Sequence, residues 1–183
     1  LFAGLSWSTV FLSPREHLLK EKTRLTTLPT LTKEWRVSFE LKPTSYNYNN
    51  GYTQVLHMTT GGNKNTIGYQ TPALWIHNNR FVYISTTLDG KPSVGKFLRT
   101  KKPFIINEWT ALEISQAKRG AKYMFAFVIK GETLWSVENT RPTQFSDVHV
   151  YASSDWYVAQ AGSIRGLQIE NMMPGEEKKP IVC

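Results

Sequence analysis

Residues 103–142, PFIINEWTALEISQAKRGAKYMFAFVIKGETLWSVENTRP, decide the fold class. They read as strands near 104–106, 109–116, 122–130 and 132–138, with turns over 117–121 and at Lys130-Gly131. In 109–116, Leu112 and Ile114 share one face, opposite Trp109, Glu113 and Ser115. In YMFAFVI both faces are apolar: Tyr123, Phe125, Phe127 and Ile129 point one way, Met124, Ala126 and Val128 the other. A strand covered on both sides explains that pattern better than an edge strand does.

The same two-residue period extends in both directions. WRVSFEL (35–41) sets Trp35, Val37, Phe39 and Leu41 against Arg36, Ser38 and Glu40, which makes a half-buried strand. YTQVLHMT (52–59) is a further strand, followed by the loop TGGNKNTIG (60–68). PALWIH (72–77) and RFVYISTTL (80–88) flank Asn78-Asn79, which reads as a tight hairpin, and DGKPS (89–93) is another turn. Late strands are expected at DVHVYAS (147–153), with Val148 and Val150 inward, and at IRGLQIE (164–170), with Leu167 and Ile169 inward. LFAGLSWSTVFL (1–12) lacks the basic start and cleavage site of a signal segment and reads as a terminal strand. Only SPREHLLKEK (13–22) has the Ser-Pro start of a short helix. Around ten strands on short connections give an all-β antiparallel architecture, because a parallel sheet would need intervening helices.

Composition narrows the class further. A chain of 183 residues suits one domain, and 40% hydrophobic with 20% charged residues excludes wholesale disorder. No apolar run reaches the length of a membrane span. Leu1 is not an initiator methionine, so a fragment or processed product is expected. The lone Cys183 has no partner for an internal disulfide, and residues 172–183 read as a flexible tail. The net charge of +8 favours encounters with anionic surfaces without identifying one.

The order of WRVSFELKP, NEWTALEISQ, YMFAFVIKGE and DVHVYASSDWYVAQAGSIRGLQI resembles the concanavalin A-like and laminin G-like jelly-roll group over roughly residues 30–170. Trp35, Val37 and Phe39, then Trp109, Leu112 and Ile114, then Leu167 and Ile169 occupy that group's patterned strand positions. The resemblance implies a two-sheet antiparallel jelly-roll sandwich, here with a short N-terminal helix. Residues 1–183 would form one laminin G-like domain, with 1–29 as an N-terminal extension. It also implies an extracellular or cell-surface recognition or adhesion role with a glycan or protein partner.

Catalytic chemistry has little support in the residues. His17, His57, His77 and His149 show no zinc-ligand spacing, and ordinary hydrogen-bonding roles account for them. Glu108, Glu113, Glu132, Glu138, Asp147, Asp155 and Glu170 are scattered, without the compact carboxylate motif of jelly-roll glucanases. No cofactor is expected. Calcium on loop ligands such as Asp89, Asp147 and Asp155 stays open beside the commoner turn-forming role of Asp. GGNKNTIG lacks the Lys-Ser/Thr end of a phosphate loop.

Binding has more. In TSYNYNNGY (44–52), Tyr46, Tyr48 and Tyr52 alternate with Asn47, Asn49 and Asn50, joining flat apolar faces to amide donors and acceptors. That suits a sugar or protein surface, and equally a polar hairpin whose tyrosines cover the sandwich edge. Trp156 and Tyr157 join these as candidate ligand contacts, and Trp75, Tyr83, Trp135 and Tyr151 are further exposed-aromatic candidates. Trp75 and Trp135 have opposite parity to Leu74, Ile76 and Leu134, which points to the outer face. Lys96, Arg99, Lys101 and Lys102 form the candidate patch for weak polyanion binding. The leading reading is a non-catalytic recognition domain, followed by a structural or assembly domain and then a carbohydrate-active hydrolase.

Overall fold

A computed structural model describes residues 5–46, 51–155 and 157–174. Among these residues the regular structure is all β: β1 (Leu5–Ser13), β2 (His17–Leu18), β3 (Arg24–Leu31), β4 (Trp35–Pro43), β5 (Thr53–Thr59), β6 (Ala73–Asn78), β7 (Phe81–Leu88), β8 (Lys91–Arg99), β9 (Thr110–Arg119), β10 (Lys122–Ile129), β11 (Glu132–Glu138), β12 (Phe145–Ala152) and β13 (Gly162–Pro174). One sheet runs β1-β13-β4-β9-β10-β11, with β2 also paired to β13; the other runs β3-β12-β5-β6-β7-β8. All these strand pairs are antiparallel.

Alternation decides which side chains meet between the sheets. Strand β4 alternates buried and half-buried along its whole length, so Trp35, Val37, Phe39 and Leu41 face inward. Register places Val37 opposite both Ile114 of β9 and Ile169 of β13. Leu112, Phe125, Phe127, Val148, Val150 and Leu167 complete the expected interior, and each is at most 3% exposed. Strand β10 is central in its sheet, lying between β9 and β11, but the expected cover on both faces is only partial: Ala126 is buried while Met124 and Val128 beside it are half-buried.

Four expectations are corrected. Residues 13–22 form no helix: Ser13 ends β1, His17-Leu18 pair with Ile164 and Ser163, and the Leu19 amide donates to the Gly162 carbonyl at 2.9 Å. Helix nucleation is costly in so short a segment, and sheet pairing with burial of Leu19 outweighs the Ser-Pro start. Residues 104–106 are no strand; they belong to the connection that crosses between the sheets, with Phe104 buried. The β6–β7 turn centres on Asn79-Arg80, one residue later than expected, and the Asn78 side-chain oxygen accepts from the Arg80 amide at 2.8 Å. Trp135 points into the core, because a bulge between Phe127 and Val128 shifts parity and sets Trp135 opposite Phe127 and 5.1 Å from the Phe125 ring.

The N-terminal segment is built into both sheets. Strand β1 pairs with β13, and β3 pairs with β12. Met172 to Pro174 still belong to β13, and residues 175–183, with the rest of the expected tail, lie outside the described residues. No helix is long and apolar enough to cross a membrane among the described residues.

Candidate functional site

The outer face of the second sheet carries the side chains that alternation turns away from the core. Register sets Trp75 of β6 opposite Tyr83 of β7, and Tyr83 opposite Phe97 of β8, so large rings line up across three strands. The next row holds Ala73, Ser85 and Gly95. Large residues beside small ones leave room for Tyr83 to lean along the sheet: a Cβ on Gly95 would collide with the Tyr83 hydroxyl.

Two loops raise walls around this floor. Residues 60–72 fold back beside β5, the Thr60 amide donating to the Gly68 carbonyl at 3.0 Å and the Thr71 amide to the Met58 carbonyl at 2.9 Å. On the other side the Ser153 amide donates to the Val55 carbonyl at 3.0 Å and the Gln54 amide to the Val158 carbonyl at 2.9 Å, which brings Tyr157 forward. The result is a cleft of about 560 Å³ lined by Tyr52, Tyr69, Trp75, Tyr83 and Tyr157, with Asn63, Lys64, Gln70 and Ser93 as its polar members.

Its aromatic end is a layered cluster. Trp75 is only 3% exposed, with Tyr83 at 5.4 Å and Tyr157 at 5.6 Å between ring centroids. Tyr52 stands 5.9 Å from Tyr83 and 5.2 Å from His77, and Tyr52 and Tyr157 are each close to half exposed. Trp75 therefore supports the rings that a ligand would touch. Burial, then the neighbouring Tyr52, pushes the Tyr83 hydroxyl above its ordinary pKa, so it stays a neutral donor at physiological pH.

The polar end is prepared for hydrogen bonding. Gln70 is buried, and its Oε1 accepts from the Ser93 hydroxyl at 2.6 Å, which fixes the amide orientation. Ser93 also meets the Ser85 hydroxyl at 3.0 Å. Asn63 and Lys64 are exposed on the loop, where Asn63 Oδ1 accepts from the Asn65 amide at 2.9 Å. Behind this wall, His57 Nε2 lies 2.8 Å from the Tyr69 carbonyl, and burial lowers its pKa, so a neutral imidazole holds the loop that carries Tyr69 and Gln70.

The structure brings Tyr52 and Tyr157 together with Trp75 and Tyr83. Tyr46 turns elsewhere, its hydroxyl donating to the Phe104 carbonyl at 2.9 Å while its ring packs on the core. Asn47, Tyr48, Asn49, Asn50 and Trp156 lie outside the described residues. The basic group is divided among partners: Lys96 lies 5.8 Å from the Trp135 ring and Arg99 lies 5.9 Å from the Phe81 ring, while Lys101 pairs with Glu132 at 2.7 Å. Lys101 and Lys102 both line a second pocket, which Glu132 shares.

Sequence reading passed over Asn63, Lys64, Tyr69, Gln70 and Ser93, which enter the cleft only through loop closure. The one local signal was Gly95, a small residue across from Ser85 and beside the Tyr83 row.

The carboxylates serve elsewhere. Asp89 accepts from the Thr140 amide and hydroxyl, both at 2.7 Å, while Glu40 pairs with Arg165 and Glu170 with Arg36. No group of three or more His, Cys, Asp and Glu residues is arranged to hold a metal ion among the described residues.

No family model matches the chain, and no curated protein matches it in sequence. Solved structures do match in fold. The SAP-like pentraxin from Limulus polyphemus is 14% identical, with a TM-score of 0.55 over 86% of this chain and 74% of that one. The CBM40 of the Ruminococcus gnavus IT-sialidase is 14% identical, with a TM-score of 0.57 over 90% of this chain and 100% of that one. The same CBM40 has been solved with α2,3 and with α2,6 sialyllactose bound. The botulinum neurotoxin serotype D ligand-binding domain, in complex with N-acetylneuraminic acid, is 11% identical, with a TM-score of 0.56 over 96% of this chain and 44% of that one. Strand order, sheet pairing and these structural likenesses together show the fold of the chain: a two-sheet antiparallel jelly-roll β-sandwich.

Proposed function

We propose that this protein is a non-catalytic glycan-recognition domain acting outside the cell or at its surface, and that the sugar enters the cleft on the outer face of the second sheet. The observation that carries this reading is the cleft's division into ring faces at Tyr52, Tyr83 and Tyr157 and fixed polar groups at Gln70 and Ser93. A sugar ring has an apolar face of C–H groups and a polar rim of hydroxyls, and a concave site with those two parts matches it. Lys64 adds a cation for an acidic sugar, and the structurally similar CBM40 and neurotoxin domains, which hold sialyllactose and N-acetylneuraminic acid, support that choice. None of the described lining residues is a carboxylate, which favours binding over glycoside hydrolysis.

A glycan array followed by calorimetry on the best ligand tests the proposal. Tyr52→Ala, Tyr83→Ala and Tyr157→Ala are each expected to weaken binding at least about tenfold, as buried aromatic anchors do, while far-UV circular dichroism stays that of a β-sandwich. Unchanged affinity in all three variants would remove the cleft from the reading. Release of cleaved sugar by the wild-type protein would make it an enzyme instead.

A further inference from the structure

The aromatic surface continues past the cleft. Along strand β8 the side chains turned outward run Ser93, Gly95, Phe97; Ser93 lines the cleft, and Phe97 lies outside its lining. Tyr83, opposite Phe97 in register, leans toward Gly95. Tyr52 stands beside both rings, 5.9 Å from Tyr83 and 6.2 Å from Phe97. It is therefore a ridge shared by the cleft and by Phe97. Ser93 and Phe97 are about 13 Å apart along the strand, more than one sugar ring spans.

Phe97 is both fixed and open. Its ring stacks on Phe81 at 5.1 Å with 10° between the planes, and Tyr52 meets it at 84°. It is nevertheless 45% exposed, as is Tyr52. A ring already held by its neighbours loses little rotamer freedom when a ligand covers it.

Size decides what covers it. At that exposure Tyr52 and Phe97 together offer about 200 Å². A stable protein interface takes about 800 Å² from each partner, so the pair is too small to seat a second copy of the chain. It suits one sugar ring, whose C–H face packs on aromatic groups while its hydroxyls stay in water. Lys64 lines the cleft, whereas Tyr52 and Phe97 carry no charge, so an acidic sugar belongs in the cleft and a neutral one on the ridge.

We infer that the ligand is an oligosaccharide read over at least two residues: its terminal, acidic residue sits in the cleft, and the next, neutral residue packs on Phe97 across the Tyr52 ridge. This rests on the glycan reading of the cleft and adds the length of chain that the site recognises.

NMR titration with N-acetylneuraminic acid and with α2,3-sialyllactose separates the two positions. The wild-type protein is expected to bind sialyllactose about tenfold more tightly, the order that covering half of the open Phe97 surface supplies. Phe97→Ala should bring sialyllactose down to the affinity of the single sugar and leave the single sugar within about twofold, because Phe97 lies outside the cleft lining. Phe97→Trp keeps a ring at that position and should preserve the preference, while Tyr83→Ala should weaken both ligands. Equal wild-type affinity for the two ligands, a preference that survives Phe97→Ala, or equal losses on both ligands in that variant would overturn the inference. Phe97-dependent retention on phosphatidylcholine vesicles, or a Phe97-dependent dimer in sedimentation, would assign the ridge to a membrane or to a second copy and would also overturn it. If neither probe binds but the array yields another sugar that Tyr83→Ala weakens, this inference falls and the glycan reading survives; if no sugar binds, both fall.

Discussion

A methyl group at residue 95 would occupy the space of the Tyr83 hydroxyl, so the shape of the cleft depends on one missing side chain. Gly95→Ala is expected to cost about 1–3 kcal/mol through overpacking and to weaken glycan binding by displacing the Tyr83 ring. In a Tyr83→Ala background the same change should cost less than about 0.5 kcal/mol, and urea denaturation of the four proteins measures that coupling. Equal costs in both backgrounds would show that Gly95 is not there for Tyr83. His57 gives the residue scale a pH signature. Burial lowers its folded pKa, with the Tyr69 carbonyl and then Asp155 opposing the shift. The fold therefore favours the neutral ring: its contribution is fully present above the ordinary histidine value of 6.5 and is lost as pH falls from there toward the lower folded value. His17 is shifted the same way by burial and then Arg15. Stability measured by urea at pH 7.5 and 5.5 should drop on acidification, and His57→Gln should shrink that drop without abolishing it. A drop of unchanged size would assign the pH dependence to other groups.

At the scale of strands, period-two alternation carried most of the fold because one inward face is enough to specify register. Trp35, Val37 and Phe39, Leu112 and Ile114, and Leu167 and Ile169 were legible for that reason, and each lies in the shared interior. What alternation could not show was anything that breaks it. The bulge beside Val128 reverses the parity of Trp135, and β3 contains Pro29 with a mixed burial pattern that hides its pairing with β12. Strand β8 is an edge strand rich in Lys, Gly and Pro, so its alternation of Val94 and Leu98 against Phe97 is faint in the sequence. Tyr52, Trp75, Tyr83 and Tyr157 could be nominated one by one, but only the sheet register and two loops show that they adjoin. The packing itself is testable. Leu112→Ala should cost about 2–5 kcal/mol and Phe125→Ala about 3–5 kcal/mol, since a cavity adds to the lost transfer energy. Phe125 should fall toward the upper end, as it touches Trp35 and Trp135 edge-on at 6.2 and 5.1 Å. Losses below about 0.5 kcal/mol at both sites would contradict this core, because truncation of a buried side chain costs several times that.

Across the whole molecule the charge of +8 is spread rather than gathered. Arg36 and Arg165 are held against Glu170 and Glu40, and the latter guanidinium also lies 4.2 Å from the Trp109 ring. Lys42 shares that ring at 4.5 Å and pairs with Glu16 at 3.1 Å. Lys122 is similarly paired with Glu138. Cations fixed in this way contribute to a long-range positive potential but offer a polyanion few free contacts at one place. Lys96, Arg99, Lys101 and Lys102 are close in sequence, yet Lys96 lies against the Trp135 ring and Arg99 against the Phe81 ring, while Lys101, paired with Glu132, and Lys102 line the pocket beside Phe104. Heparin should therefore bind weakly and elute between about 0.05 and 0.2 M salt, where an attraction made of few phosphate- or sulfate-type contacts collapses. Substituting all four residues with Gln lowers the net charge from +8 to +4, the loss of four formal positive charges. That change should shift heparin elution to lower salt while glycan affinity at the Tyr52, Tyr83 and Tyr157 cleft stays within about twofold, because none of the four side chains lines that cleft and exposed charges are screened at physiological ionic strength. Heparin retention that persists well above 0.2 M and disappears with these four substitutions would mean that the side chains regroup around a polyanion into a specific site, and the spread-charge account would then be wrong.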